Sequence, residues 1–179
     1  MMLSAKFVAI TVILLATCGV ALAETESLPR GTAPIFLGMG KVDFEKITGA
    51  KSEACLECVT HEDRYVLLKT KGIFEDTSIP EGADASFFSG RLYRLGIGFE
   101  ERLEKALPQF RVKYGPEKRH IDWNNGISAY IWEDGQTVLE IHHGTNKSRA
   151  FALFFEDKLL RRQLQDQYEK DKKAGIKRD

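Results

Sequence analysis

Ser86 to Pro116, SFFSGRLYRLGIGFEERLEKALPQFRVKYGP, is the stretch that decides the fold. Two runs rich in aromatic and aliphatic residues flank Ser89-Gly90, which predicts a strand, a tight turn and a second strand. From Phe99 the spacing changes. Phe99, Leu103, Leu107, Phe110 and Tyr114 recur every three or four residues, the apolar stripe of a helix lying on a sheet. Glu100 and Glu101 sit where the positive end of that helix would be and Lys113 near its negative end, and Gly115-Pro116 ends it. Pro108 lacks an N–H and crowds the carbonyl of Glu104, so a kink or restart is expected there.

Parts of this stretch have echoes elsewhere. LGIG at 95–98 matches LGMG at 37–40, each ahead of a helical pattern, and their glycines suit tight strand-to-helix turns. FFSGRLYR at 87–94 matches FFEDKLLR at 154–161, and HEDRYVLL at 61–68 matches WEDGQTVL at 132–139. Three matches in the same order predict two copies of one helix-plus-strands unit. The expected fold is α+β, an antiparallel sheet with helices packed on it. One domain spans 34–162, its units about 34–94 and 95–162.

Within the first unit, Gly40 to Gly49 reads as a short helix offering Val42, Phe44 and Ile47 to the core, with Gly49 as its stop. Cys55–Thr60 and Tyr65–Thr70 read as strands joined around His61-Glu62-Asp63. In the second unit Ile127–Trp132 and Thr137–Ile141 flank Asp134-Gly135, a strong hairpin signal. Alternation sets Ile127, Ala129 and Ile131 against Ser128, Tyr130 and Trp132. Residues 142–148 should make a compact turn. Residues 24–33 read as a flexible lead-in and 163–179 as a charged helix or tail, with Leu160, Leu164 and Tyr168 as its narrow apolar stripe and its last eleven residues fraying.

The first 23 residues have the form of a signal peptide: Lys6, the apolar run Phe7–Ala16, then Ala21-Leu22-Ala23. The apolar run is shorter than the roughly 20 residues a bilayer helix needs. The expected location is periplasmic or secreted, with no transmembrane segment in the mature chain; lipidation through Cys18 is the minor alternative. The whole chain has 26 basic and 26 acidic residues, and losing Lys6 with the leader leaves 25 against 26. That balance gives no pull toward nucleic acid.

Cys55 and Cys58 are the candidate disulfide or redox pair. In an oxidising compartment an even pair suggests a bond. On a continuous strand, however, residues three apart lie roughly 10 Å apart at about 3.3 Å per residue, and a disulfide needs Cα atoms within about 7 Å. A structural disulfide, an unbonded pair with Cys58 packed as a small hydrophobe, and redox or metal chemistry recruiting His61 all stay open. Val59 follows Cys58 where haem attachment would need His. His142 and His143, being neighbours on a strand, should face opposite ways, and His120 should be solvated. The long acidic loop 70–84 holds Ile73, Phe74 and Ile79, either pinning the loop or forming a partner-binding surface. No catalytic residues, metal ligands or cofactors are expected, because no nucleophile elbow, phosphate loop or dinucleotide fingerprint is present.

The run Ile35-Phe36-Leu37-Gly38-Met39-Gly40 followed by DFEKITG, with FFSGRLYRLGIGF, resembles motifs of small bacterial envelope proteins of the BamE/SmpA type. That resemblance implies an envelope scaffold or binding module with a protein partner, and transfers no functional residue. The function expected is that of an exported non-enzymatic binding or scaffold protein. A thiol-redox or metal-handling protein using Cys55 and Cys58 is the alternative.

Overall fold

The computed structural model describes residues 27–52, 58–67, 81–99, 102–123, 126–144 and 151–176. The Ser89-Gly90 hairpin forms as expected, between β4 (Glu81–Phe88) and β5 (Arg91–Phe99). Ser89 and Gly90 both have left-handed φ, 50° and 73°, the backbone of a two-residue turn whose twist matches the strands. Around it lie β3 (Glu62–Leu67), β6 (Arg119–Trp123), β7 (Ile127–Glu133), β8 (Thr137–Gly144) and β9 (Phe151–Asp157). They make one seven-stranded sheet in the order β3-β4-β5-β9-β8-β7-β6, antiparallel at every pairing. A two-residue ladder, β1 (Gly31–Thr32) with β2 (Ile35–Phe36), stands apart. The described helices are α1 (Lys41–Thr48), α2 (Leu103–Tyr114) and α3 (Lys158–Lys173).

One face of the sheet carries the main core. Tyr65, Ala85, Phe87, Leu95, Leu139 and Ile141 on it are fully buried. The helix α1 reaches this face with one side chain. Phe44 meets the rings of Tyr65 and Phe87 edge-on at 5.2 and 5.1 Å, whereas Val42 and Ile47 are exposed. Two turns of helix cannot turn three apolar residues inward when they stand at 42, 44 and 47. Gly49 ends α1 in the left-handed conformation, its N–H donating to the Glu45 carbonyl, as the sequence predicts. The helix α2 buries Leu103, Ala106 and Leu107 and packs Phe110 and Tyr114 at the margin. Phe99 belongs to the strand instead, stacked on Phe151 at 5.0 Å. Pro108 is exposed within an uninterrupted α2, five residues after Leu103, so the bond it omits is to a first-turn carbonyl. Glu100 and Glu101 lie outside the described residues.

Several expectations are corrected. Cys58 and Val59 are not strand. Thr60 and His61 turn the chain, His61 at φ 67°, and β3 begins at Glu62. The reason is local: the Val59 carbonyl accepts from the Glu62 N–H, and the Val59 N–H donates to Glu62 Oε2 at 3.0 Å. LGIG lies inside β5, where a Cβ at Gly96 would stand 2.6 Å from the Phe154 ring and closer still to the Asp84 carboxylate. Close approach, not a turn, is what this glycine allows. The motif echoes also fall in unlike places. Phe87–Arg94 spans the end of β4, its turn and the start of β5, whereas Phe154–Arg161 spans the end of β9 and the start of α3.

Neither end of the described chain is loose. The Leu28 N–H donates to Asp134 Oδ2 at 2.9 Å, and Arg30 pairs with Asp157. Asp157 also caps α3 by accepting from the Leu160 N–H. The helix α3 covers a second, smaller core of Val59, Phe88, Tyr93 and Leu164 on the other face of the sheet. Near its end Asp171 is 2% exposed, accepting from both the N–H and the hydroxyl of Thr60 at 3.0 Å.

Candidate functional site

The turn joining β7 to β8 is built by its aspartate. Asp134 Oδ1 accepts from the N–H groups of Gln136 and Thr137 at 2.8 and 2.7 Å, and its own N–H donates to the Thr137 carbonyl. Gly135 keeps an ordinary φ, with nothing within 4 Å of where a Cβ would stand. The Asp-Gly signal therefore marks the hairpin correctly, although the side-chain cap does the turning.

This hairpin, the lead-in at Leu28–Arg30 and the turn after α2 enclose a cleft of about 850 Å³. Trp132 forms one wall and is held by its indole N–H, which donates to the Gly115 carbonyl at 2.9 Å. The charges around the cleft are matched. Arg30 joins Asp157 and reaches Gln136 Oε1 at 3.4 Å, while Lys118 and Lys158 flank Glu133 at 3.8 and 3.7 Å. Burial alone would raise the Asp134 carboxyl, but donors from Gln136, Thr137 and Leu28, with Arg30 nearby, hold it below the usual carboxylate range. One polar group is left over. Thr137 is 1% exposed, lines the cleft, and its hydroxyl has no hydrogen-bond partner among the described residues. A buried hydroxyl without a partner costs about 1–3 kcal/mol; the oxygen itself is covered, so a group in the cleft reaches it only if the cleft wall shifts.

The sheet face opposite the main core carries a second polar assembly. Arg94 lies over the Phe154 ring at 4.5 Å, and the His142 ring tilts against Phe154 at 4.7 Å and meets Trp123 edge-on at 5.4 Å. His142 Nε2 is 2.6 Å from Glu140 Oε2; that bond, ahead of the opposing effect of burial, holds the Glu140 carboxyl low. Burial raises Asp84 against the pull of Arg94 and Arg64, and raises Glu156 against Arg161 and Arg94. Two carboxyls pushed up beside one held down is a grouping that sequence spacing conceals, because strands β4, β8 and β9 contribute one each.

These directions fix a pH dependence. A carboxyl raised in the folded state loses stability for the protein as pH climbs from the ordinary carboxylate range through its raised value. One held low, such as Glu140, contributes stability that is lost as pH falls below that range. Asp84→Asn should therefore melt above the parent at pH 7, with the gap closing as pH is lowered to about 4, the ordinary carboxylate value. Urea melts of both proteins across that range measure it.

Other candidate residues are not brought together. Ile73, Phe74 and Ile79 lie outside the described residues, as does Cys55. Cys58 is half-buried. His61 is exposed on its turn. Registers place His142 beside Ala129 and Ala152 but His143 beside Ser128 and Phe151, on opposite faces. His120 is exposed, as expected, with one ring face stacked on Tyr130 at 4.3 Å. Among the described residues no group of three His, Cys, Asp or Glu side chains could hold a metal ion, and no helix is long and apolar enough to cross a membrane.

No family model and no curated protein matches the chain. Among solved structures it is similar to a DUF4309 family protein (YjgB) from Bacillus subtilis subsp. subtilis str. 168. The match has 14% identity and a TM-score of 0.45, and covers 74% of this chain and 88% of that one.

Proposed function

We propose that this chain is an exported, non-enzymatic binding protein of the bacterial envelope, and that it takes an uncharged polar ligand in the cleft beside the β7–β8 hairpin. The observation that carries this reading is the Thr137 hydroxyl, buried and unpartnered at the cleft wall. The matched charges set the ligand class. With Arg30, Asp134 and Glu133 already neutralised by Asp157, backbone donors and two lysines, an ionic ligand would have to break an ion pair to gain one. A neutral ligand bearing hydroxyl or amide groups breaks none of these pairs, and a small shift of the cleft wall brings the covered Thr137 hydroxyl within its reach.

Export rests on the charged start, apolar run and small residues of the first 23 positions. The resemblance to BamE/SmpA-type envelope proteins points the same way. A structural disulfide between Cys55 and Cys58, one of the alternatives the sequence leaves open, belongs to this reading. So does the two-unit architecture, with α1 leading β3–β5 and α2 leading β6–β9 and the units meeting where β5 pairs with β9. That element order supports two units, whereas the motif echoes do not.

Calorimetric titration against neutral oligosaccharides and uncharged peptide amides, with charged homologues alongside, tests the proposal. Gly135→Trp should abolish any neutral-ligand signal while leaving the fold intact, because that position has open space and an ordinary φ. Binding restricted to charged homologues, or neutral binding unaffected by Gly135→Trp, would defeat the reading.

A further inference from the structure

The strand β6 ends the sheet: it pairs with β7 on one side, and among the described residues no strand lies on the other. Such an edge presents unpaired backbone donors and acceptors and is normally guarded by shortness, charged side chains, proline or a bulge; β6 is short and carries Arg119 and Asp122, charges of opposite sign that a second copy can match. The residues Arg119-His120-Ile121-Asp122-Trp123 include neither lysine nor proline, and their pairing with β7 runs without a shift. They read as a self-complementary sequence about Ile121. Arg119, Ile121 and Trp123 share the face of their β7 partners Ile131, Ala129 and Ile127, while His120 and Asp122 share the face of Tyr130 and Ser128. Trp123 is 41% exposed and Asp122 more so.

We propose that β6 is the docking edge for a second copy of this chain, the two β6 strands pairing antiparallel about a two-fold axis at Ile121. In that register His120 faces the partner's Asp122 twice, and Arg119 faces the partner's Trp123 twice. Ile121 meets the partner's Ile121 on the axis. Directly opposed side chains lie about 4.5–5.5 Å apart, close enough for an imidazole–carboxylate hydrogen bond and for a guanidinium over an indole. The neighbouring registers that keep the faces aligned are unfavourable. A shift one way opposes His120 to the partner's His120, and a shift the other way opposes Asp122 to the partner's Asp122. Parallel pairing in register opposes every residue to itself. Only the pairing about Ile121 sets unlike groups against each other throughout, which is what fixes register where the backbone alone does not. The two sheets would join into one continuous antiparallel sheet.

A contact of five residues per chain lies at the small end of protein interfaces, below about 1,200 Å² in total, so the dimer is a weak one. Sedimentation equilibrium on the full chain, from about 10 μM to 1 mM, covers the affinities such interfaces reach. The parent should self-associate to a dimer within that range. His120→Asp, which opposes two carboxylates at both ends of the contact, should raise the dissociation constant roughly tenfold or more. The exchange H120D/D122H restores unlike partners at both positions and should bring dimerisation back, with far-UV dichroism and urea midpoints confirming that both variants fold. Three results would overturn the proposal: a parent monomeric throughout the range, a dimer indifferent to His120→Asp, or an exchange variant that stays monomeric.

Discussion

Phe44→Ala is expected to cost about 3–5 kcal/mol, the range for deleting a buried phenyl ring, and to detach α1 from the sheet. Phe44 is fully buried, and it is the only side chain α1 buries. Its ring closes a trio with Tyr65 and Phe87 in which each pair of centroids lies 5.1–5.2 Å apart, edge to face. Without it, an eight-residue helix keeps only polar ties, Tyr65 to Glu45 and Lys41 to Asp63 and the Gly90 carbonyl, and helices of that length do not persist in water on their own. Val42 lies on the same helix at 76% exposure, and Val42→Ala should change stability by no more than about 0.5 kcal/mol. Urea melts of the two variants, with amide exchange across Lys41–Thr48, decide the matter. Loss of protection in α1 for Phe44→Ala alone is the expected pattern.

Leu107→Ala should cost about 2–5 kcal/mol, by the lost burial and the cavity left behind. Leu107 lies with Leu103 and Ala106 against the sheet, beside the partly buried rings of Phe110 and Tyr114. Glu104, on the exposed side of the same helix, should tolerate alanine within about 0.5 kcal/mol. Against a domain stability of about 5–15 kcal/mol, either core loss is serious and the two together should prevent folding. Equal melts for Leu107→Ala and Glu104→Ala would mean that α2 does not rest on the sheet as described.

What was legible in the sequence is what short-range physics controls. Ser89-Gly90 specifies its turn by itself, because both residues must take positive φ and glycine does so freely. The stripe of α2 was legible apart from its first member, Phe99, which keeps the spacing by chance while the chain is still strand. The sheet order was not. That β9 returns to the centre beside β5 depends on long-range packing which no local pattern encodes. Strand β6 is not legible in the sequence because Ile121 is its only aliphatic residue, so an edge strand with few buried positions carries almost no alternation signal.

The candidate site was illegible for a related reason. Thr137 reads as an ordinary strand residue, and its chemistry appears only when the lead-in, the turn after α2 and the β7–β8 hairpin close around it. Likewise Asp84, Glu140 and Glu156 come from three strands, and only the registers reveal them as one assembly. The paired cysteines drew attention from sequence because their spacing is local.

The most direct test of the central claim, that the cleft wall holds a hydroxyl the fold does not use, is the unfolding free energy of Thr137→Val in urea without ligand. Valine keeps the shape and removes only the buried polar group. The variant should match the parent or exceed it by about 1 kcal/mol, because among the described residues nothing accepts from or donates to that oxygen. A loss of about 1 kcal/mol or more would show that the hydroxyl already holds the fold together, and would contradict the account.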